Sequence, residues 1–320
     1  MKIGILGTAD IAFRRFLPAL QKCSEFLFAG VASRTPEKVQ PFIDAFGGQA
    51  YKSYDALLAD ESIDAVYVPL PPALHYEWGK KVLLSGKHLL MEKPFTTSLG
   101  QTRDLLRIAE EKGLAVHENY MFLYHSQLAY IKKLIADGEL GEIRLYRMAF
   151  GFPKRGEGDF RYNRELGGGA LLDCGGYPVR LALELLGDTA RVTQAKLVQP
   201  AGYEVDLFGN AVLENDDGLC AQVSFGMDNA YQCQLEVWGS KQTLITPRIF
   251  TAGDCFAPAI QLKSSTDEKI EKLSVDDQFL HSVQFFYEEI INLEKRNVAG
   301  KYVEMQSALL EEVKGGGLGR

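Results

Sequence analysis

Residues 2–12 read Lys2-Ile3-Gly4-Ile5-Leu6-Gly7-Thr8-Ala9-Asp10-Ile11-Ala12. A short apolar run of buried-strand character stops at a glycine, and the pattern turns helical. Asp10 is expected as the N-cap, with Ile11, Phe13, Phe16, Leu17 and Leu20 following at helical spacing. Gly7, Thr8, Ala9, Asp10, Ile11 and Ala12 fit the pattern G-x-G-x-x-G/A, with Ala9 in the middle glycine place and Ala12 in the third. Such a turn keeps side chains out of the way, so backbone N–H groups and the positive helix end can meet a pyrophosphate. Ala9 adds one methyl where the backbone should approach closely.

Working outward, the pattern repeats. Phe26–Ala32 reads as a strand and Pro36–Phe46 as a helix closed by Gly47-Gly48. Strand-like 64–68 breaks at Pro69, Pro71 and Pro72, and a helix over 73–85 ends at Gly86. Strand 87–91, helix 98–112 and strand 114–117 follow. Strands separated by helices of this length indicate βαβ units and a parallel sheet covered on both faces. Beyond about residue 140, strand candidates at 142–152, 191–198, 203–214, 219–226 and 231–238 succeed one another, with one long helix near 170–186 and a final helix over 278–295. Short links such as Asn215-Asp216-Asp217-Gly218 imply antiparallel pairing. The final helix carries Phe279, Val283, Phe286, Ile290 and Leu293 on one face, and the Gly315-Gly316-Gly317 tail is expected to be mobile. The expected class is α/β: a dinucleotide-binding domain with a parallel sheet over 1–120, then an α+β domain over 121–320 with a mostly antiparallel sheet.

The end of the second strand bears on the cofactor. An NAD site carries Asp or Glu there for the ribose 2′-hydroxyl. Here the chain reads Ser33-Arg34, with Lys38 a turn later. A hydroxyl and two cations suit the 2′-phosphate of NADP(H), whereas an isolated arginine in such a loop would simply be solvated.

Met91-Glu92-Lys93-Pro94 closes a later strand, at the sheet edge where open α/β folds bind ligands. Gly167-Gly168-Gly169 then leads into a helix with Asp173 and Tyr177 four residues apart, a spacing that places both on one face. With the fingerprint, the Glu92-Lys93-Pro94 triplet and the block Gly167–Tyr177, the chain resembles the glucose–fructose oxidoreductase / inositol dehydrogenase / MocA family. Among its members it looks closest to the NADP-dependent nucleotide-sugar 3-ketoreductases, which also carry Ala at the middle glycine place. The resemblance implies a Rossmann domain followed by a substrate-binding domain whose open-faced, mostly antiparallel sheet makes a homodimer or homotetramer. It also implies that Lys93 lies beside the substrate carbonyl, that Asp173 orients the substrate or a partner residue, and that the Lys93–Pro94 bond is often cis.

Hydride delivered to a ketone makes an alkoxide that needs a proton or a positive charge as it forms. A tyrosine hydroxyl near an ammonium becomes a better proton donor. Tyr177 is therefore read as general acid and Lys93 as its electrostatic partner, with the reverse assignment open. Leu70, His75 and Glu92 are expected at the cofactor, His75 because the resemblance places the histidine of this P-x-x-x-H stretch near it; a capping or surface role is the alternative. Arg14 is a further cofactor candidate in the fingerprint helix, and Arg161 is the candidate for an anionic group of the substrate.

Composition narrows the classes. The 320 residues carry 35 basic and 42 acidic side chains, a net −7, which argues against nucleic acid or an anionic membrane as a general partner. Five scattered cysteines without a C-x-x-C pair argue against a disulfide framework or zinc site, and the N-terminus lacks a signal-peptide layout, so a cytoplasmic protein is expected. Three functions remain in view: reduction of a nucleotide-linked keto-sugar with NADPH, oxidation of an aldose or trans-dihydrodiol with NADP, and a non-enzymatic cofactor sensor. The retained Lys93, Asp173 and Tyr177 count against the last.

Overall fold

A computed structural model describes residues 1–156 and 158–316. Contacts divide the chain into two compact units. The first comprises Met1–Asn119 and Phe279–Ser307; the second comprises Tyr120–Gln278 and the segment from Ala308. A linear reading assigns Phe279–Ser307 to the second domain, but these residues pack with the first.

The first unit holds a six-stranded parallel sheet of β1 (Lys2–Leu6), β2 (Leu27–Ala32), β3 (Gln49–Tyr51), β4 (Ala65–Val68), β5 (His88–Met91) and β6 (Val116–Glu118), in the order β3-β2-β1-β4-β5-β6. All the strand pairs are parallel. The order reverses between β1 and β4, the switch point at which such sheets open a crevice beyond their carboxyl ends. Burial on both faces explains the continuous apolar strands: Ala65, Val66, Tyr67 and Val68 are all fully buried. Val283, Phe286 and Ile290 complete this unit's core, with Phe26 and Phe286 stacked at 5.7 Å. The expected single helix over 278–295 is two helices, Gln278–Ile291 and Leu293–Lys314; the chain breaks at Asn292 and leaves Leu293 exposed.

The second unit is built on an eight-stranded sheet: β7 (Ile143–Gly151), β8 (Arg191–Val198), β9 (Phe208–Glu214), β10 (Cys220–Gly226), β11 (Gln232–Gly239), β12 (Thr243–Thr246), β13 (Ala259–Lys263) and β14 (Glu268–Lys272), ordered β14-β13-β12-β11-β7-β10-β9-β8. Six of its pairings are antiparallel, but β7 and β10 run parallel: β7 is inserted between β10 and β11, whose chain directions are opposite, so it must run parallel to one of them. The strands β12 to β14 have no counterpart in the sequence reading; β14, Glu-Lys-Ile-Glu-Lys, is an exposed edge strand whose charges hide it. One face alternates buried and the other exposed, as in β9 and β10. Gly315 and Gly316 are held, Gly316 accepting the Ala195 N–H at 3.1 Å on β8, contrary to the expectation of a mobile tail; Gly317 lies outside the described residues.

Candidate functional site

The fingerprint turn follows β1 directly. Gly7 has φ +102°, a region that only glycine enters without strain, and a Cβ there would lie 2.8 Å from Leu70 Cδ2. Its N–H is tied to Ala32 O at 2.8 Å, bringing the ends of β1 and β2 together. The helix begins one residue earlier than expected. Ala9 O accepts from Ala12 and Phe13, so Ala9 is the cap. Asp10 lies inside the first turn and pairs with Arg14 at 2.7 Å on the exposed surface, so it is not the N-cap. The helix opens with a wide π-helical turn, Ala12–Phe16. N–H groups in a first helical turn have no intrahelical acceptor. A side-chain-free turn feeding a helix N-terminus is what a dinucleotide pyrophosphate requires, so the residues present fit that group.

At the end of β2, Ser33 Oγ lies 3.3 Å from Thr8 Oγ1 and accepts the Thr35 N–H at 3.1 Å, which closes a polar rim around the turn. Arg34 lies beside Tyr54; burial pushes the Tyr54 hydroxyl up while Arg34 pulls it down. Lys38 is exposed at the end of a short 3-10 turn, Pro36–Lys38. A hydroxyl, a guanidinium and an ammonium occupy the place where a 2′-hydroxyl site would put a carboxylate.

The strand β5 leads into Glu92, Lys93 and a cis Lys93–Pro94 bond. Glu92 is held from two sides: its Oε1 accepts from Tyr67 Oη on β4 and from Asn119 Nδ2 just past β6, each at 2.7 Å. Its second oxygen accepts the Lys93 N–H at 3.4 Å. Behind Asn119 the network continues into the core. Ser282 Oγ donates to Asn119 Oδ1 at 2.8 Å, His117 Nε2 lies 3.0 Å from that hydroxyl, and His117 Nδ1 lies 2.9 Å from Glu289 Oε2. The donor directions are fixed by their end. Asn119 must turn its NH₂ to the Glu92 carboxylate, so its oxygen receives Ser282, whose oxygen in turn receives the His117 Nε2–H. His117 and Glu289 are both about 1% exposed; burial raises the Glu289 carboxyl, and His117 acts against that rise.

His75 is fully buried, with Nδ1 2.7 Å from Pro94 O and Nε2 2.7 Å from Leu70 O. Two carbonyls favour the imidazolium, but burial outweighs them and lowers the ring to about 4. The neutral ring has one N–H and donates to one of these two carbonyls; the ring packs between Leu70, which packs on Gly7, and the Lys93–Pro94 segment.

In the second unit, Gly168 and Gly169 lie where a side chain has no room. A Cβ on Gly168 would fall 2.4 Å from Arg161 O, and Gly169, at φ +118°, would put one 2.5 Å from Asp206 Oδ1. Asp206 closes the helix start, taking the Leu171 N–H at 2.7 Å on its carboxylate and the Ala170 N–H at 2.8 Å on its carbonyl. Here too the helix opens with a π-helical turn, Leu171–Gly175, before the α-helix Gly176–Leu186. The four-residue spacing from Asp173 to Tyr177 therefore spans a change of helix type. Tyr177, 6% exposed, sits among aromatic rings: Phe150 at 4.9 Å, Tyr120 at 5.2 Å, Phe122 and Phe250 at 5.9 Å. Arg161, expected as an anion binder, is neutralised. Its Nε donates to Asp173 Oδ2 at 2.8 Å and its Nη1 to Asp159 at 3.1 Å. Burial opposes its charge, but the two carboxylates prevail and hold the guanidinium above its ordinary range. Asp173 thus orients Arg161.

Sequence reasoning missed Tyr67, His117, Asn119, Ser282 and Glu289. No spacing signals them, because Ser282 and Glu289 reach their partners across 163 and 172 residues.

Comparisons with known proteins agree with this architecture. Residues 1–120 match the oxidoreductase family with NAD-binding Rossmann fold, and residues 128–245 match the GFO/IDH/MocA C-terminal domain. The chain is 37% identical over 316 residues to a dTDP-3,4-didehydro-2,6-dideoxy-α-D-glucose 3-reductase of Actinomadura kijaniata, covering 99% of this chain and 95% of that one. It is 37% identical over 230 residues to a D-xylose 1-dehydrogenase (NADP⁺) of Haloferax volcanii, covering 71% and 70%. Among solved structures, KijD10, a 3-ketoreductase from Actinomadura kijaniata in complex with NADP and TDP-benzene, superposes with a TM-score of 0.95 at 37% identity, covering 99% and 98%. With family matches over both halves and a relative of this identity along its whole length, the chain belongs to the GFO/IDH/MocA oxidoreductase family.

Proposed function

We propose that this protein is an NADP-dependent reductase that converts the C3 keto group of a nucleotide-linked deoxysugar to an alcohol. The observation that carries the reading is the end-to-end likeness to 3-ketoreductases, against a likeness to the xylose dehydrogenase that covers 71% of the chain. The basic rim at Ser33 and Arg34 supports NADP over NAD.

Gly7 to Ala12 would hold the pyrophosphate, and Ser33, Arg34 and Lys38 the 2′-phosphate. When bound, the reduced nicotinamide supplies the hydride. Tyr177 donates the proton to the alkoxide oxygen from its hydroxyl, and Lys93 supplies the positive charge that makes that transfer favourable. Asp173 acts through Arg161. Glu92, fixed by Tyr67 and Asn119, fixes the backbone at Lys93, and His75 braces the same segment from beneath. The exposed sheet face of the second unit, with Phe208, Trp238 and Ile270 on the surface, supports a homodimer or homotetramer. No helix among the described residues is long and apolar enough to cross a membrane. We read the protein as cytoplasmic.

The test is NADPH absorbance during rapid mixing with a dTDP-3-keto-6-deoxy sugar, run beside NADP with free xylose. Rapid NADPH loss with the nucleotide sugar alone is expected. NADPH formation with xylose alone would replace this reading with aldose oxidation. Lys93→Ala and Tyr177→Phe should each lower turnover by roughly 10²–10⁴-fold with NADPH affinity nearly unchanged; wild-type rates in both would remove the assignment.

A further inference from the structure

With Arg161 neutralised by Asp173 and Asp159, a doubly charged substrate needs other cations. Two occur at one end of the second unit's sheet. Gly151 of β7 pairs with Gln232 of β11. Phe152 directly follows the first and Tyr231 directly precedes the second. The Arg155 guanidinium lies over the Phe152 ring at 5.0 Å. The Arg248 guanidinium lies between Tyr231 at 5.4 Å and Phe256 at 5.2 Å.

Neither arginine has a carboxylate within ion-pair distance among the described residues, and Arg248 Nε is buried there without a hydrogen-bond acceptor. A buried N–H of a charged group with no acceptor is costly unless a ligand supplies one. The backbone at Arg248 is pinned: Gln127 Nε2 donates to Arg248 O at 3.1 Å, and the Ile249 N–H donates to Cys233 O at 2.9 Å. The aromatic rings lie against both guanidiniums, and neither cation is tied up by a carboxylate among the described residues.

Both arginines connect to Tyr177 through rings in contact. Tyr177 touches Phe150, and Phe150 touches Phe152 at 6.2 Å, beneath Arg155. Tyr177 also touches Phe250, two residues beyond Arg248. Phe150, Phe152 and Phe250 thus form with Tyr177 one contiguous ring cluster, and both cations border it.

We propose that Arg248 and Arg155 form the diphosphate subsite for a nucleoside-diphosphate sugar. Two guanidiniums match the two negative charges of a diphosphate diester, and fork-shaped donors suit its paired oxygens. The subsite explains how the site selects nucleotide-linked over free sugars. The inference rests on the ketoreductase reading above.

The experiment compares wild type with Arg248→Gln, Arg155→Gln and the double variant. It measures dTDP binding by calorimetry, KM and kcat for the dTDP-keto-sugar, NADPH affinity and the melting temperature. Arg155 is exposed, so its variant retains the fold. Each single change should weaken dTDP binding and raise KM by about 10- to 100-fold, with kcat and NADPH affinity nearly constant. Arg248→Lys should restore part of the affinity, because charge returns without the fork. Unchanged dTDP affinity in a folded double variant would overturn the subsite while leaving the ketoreductase intact. A wild-type protein that neither binds dTDP nor turns over the nucleotide sugar would overturn both readings.

Discussion

Asn119→Asp is the most discriminating change at the Glu92 network, because it alters one atom and nothing in shape. In the native chain the Asn119 NH₂ meets Glu92 Oε1 at 2.7 Å and the Asn119 oxygen receives Ser282 at 2.8 Å. Aspartate keeps the second contact and turns the first into two carboxylate oxygens facing each other. At that separation two unit charges repel by about 6 kcal/mol with an effective dielectric constant of about 20. A cheaper route exists: one carboxyl of the pair takes a proton. From an ordinary carboxyl pKa near 4 this costs about 4 kcal/mol at pH 7, at 1.36 kcal/mol per unit. The cheaper route sets the penalty, so the variant should be about 4 kcal/mol less stable at pH 7, a drop in melting temperature of roughly 8–16 °C.

The pH dependence follows with its sign. The folded variant binds one more proton than its unfolded chain, so its stability relative to wild type rises as pH falls, by about 1.4 kcal/mol per unit. Between pH 7 and pH 5 roughly 2.7 kcal/mol of the deficit should return. Differential melting of variant and wild type across that range is the assay. Ser282→Ala is the companion: it removes one hydroxyl that donates to Asn119 and accepts from His117, and should cost about 1–3 kcal/mol. An Asn119→Asp penalty that is absent, or flat from pH 7 to pH 5, would refute the donor directions assigned to the network.

Two further outcomes are expected. Arg34→Ala should weaken NADPH binding about 10- to 100-fold and leave NADH binding nearly unchanged, since only the former brings the 2′-phosphate; equal losses in a fluorescence titration would remove that assignment. His75, lowered to about 4 from 6.5 by burial, stays neutral in the fold while the unfolded chain protonates, so stability is full above pH 6.5 and falls by about 3 kcal/mol as pH drops toward 4. A melting curve of His75→Gln should show a shallower acid limb; an identical limb would place that loss elsewhere, His88 being lowered by burial in the same direction.

The first sheet was legible because local pattern and burial coincide there. A strand covered on both faces is apolar throughout, and polar residues, Gly or Pro follow where the chain turns, so β1, β2, β4 and β5 are found within one or two residues. The second sheet was legible strand by strand over β7 to β11, but not in its pairing or at its far edge. Its β7–β10 pairing joins segments more than 70 residues apart, and β14 has no alternation to read. The helix Gln278–Ile291 was legible as amphipathic, but nothing local says which core receives its apolar face.

The candidate site divides in the same way. Motif residues could be found because backbone geometry constrains them: Gly7 needs φ +102°, and Gly168 and Gly169 leave no room for a Cβ. Charge matching could not be found. Arg161 looked like an anion binder in sequence because Asp173, twelve residues on, reads as a separate motif; in the fold their side chains meet at 2.8 Å. Arg155 and Arg248, two of the arginines without a carboxylate at ion-pair distance among the described residues, looked ordinary because their rings come from strand ends and a loop brought together only by the sheet. Identifying a substrate-facing cation therefore depends on which acids are already paired, a property of the folded chain that motif spacing does not contain.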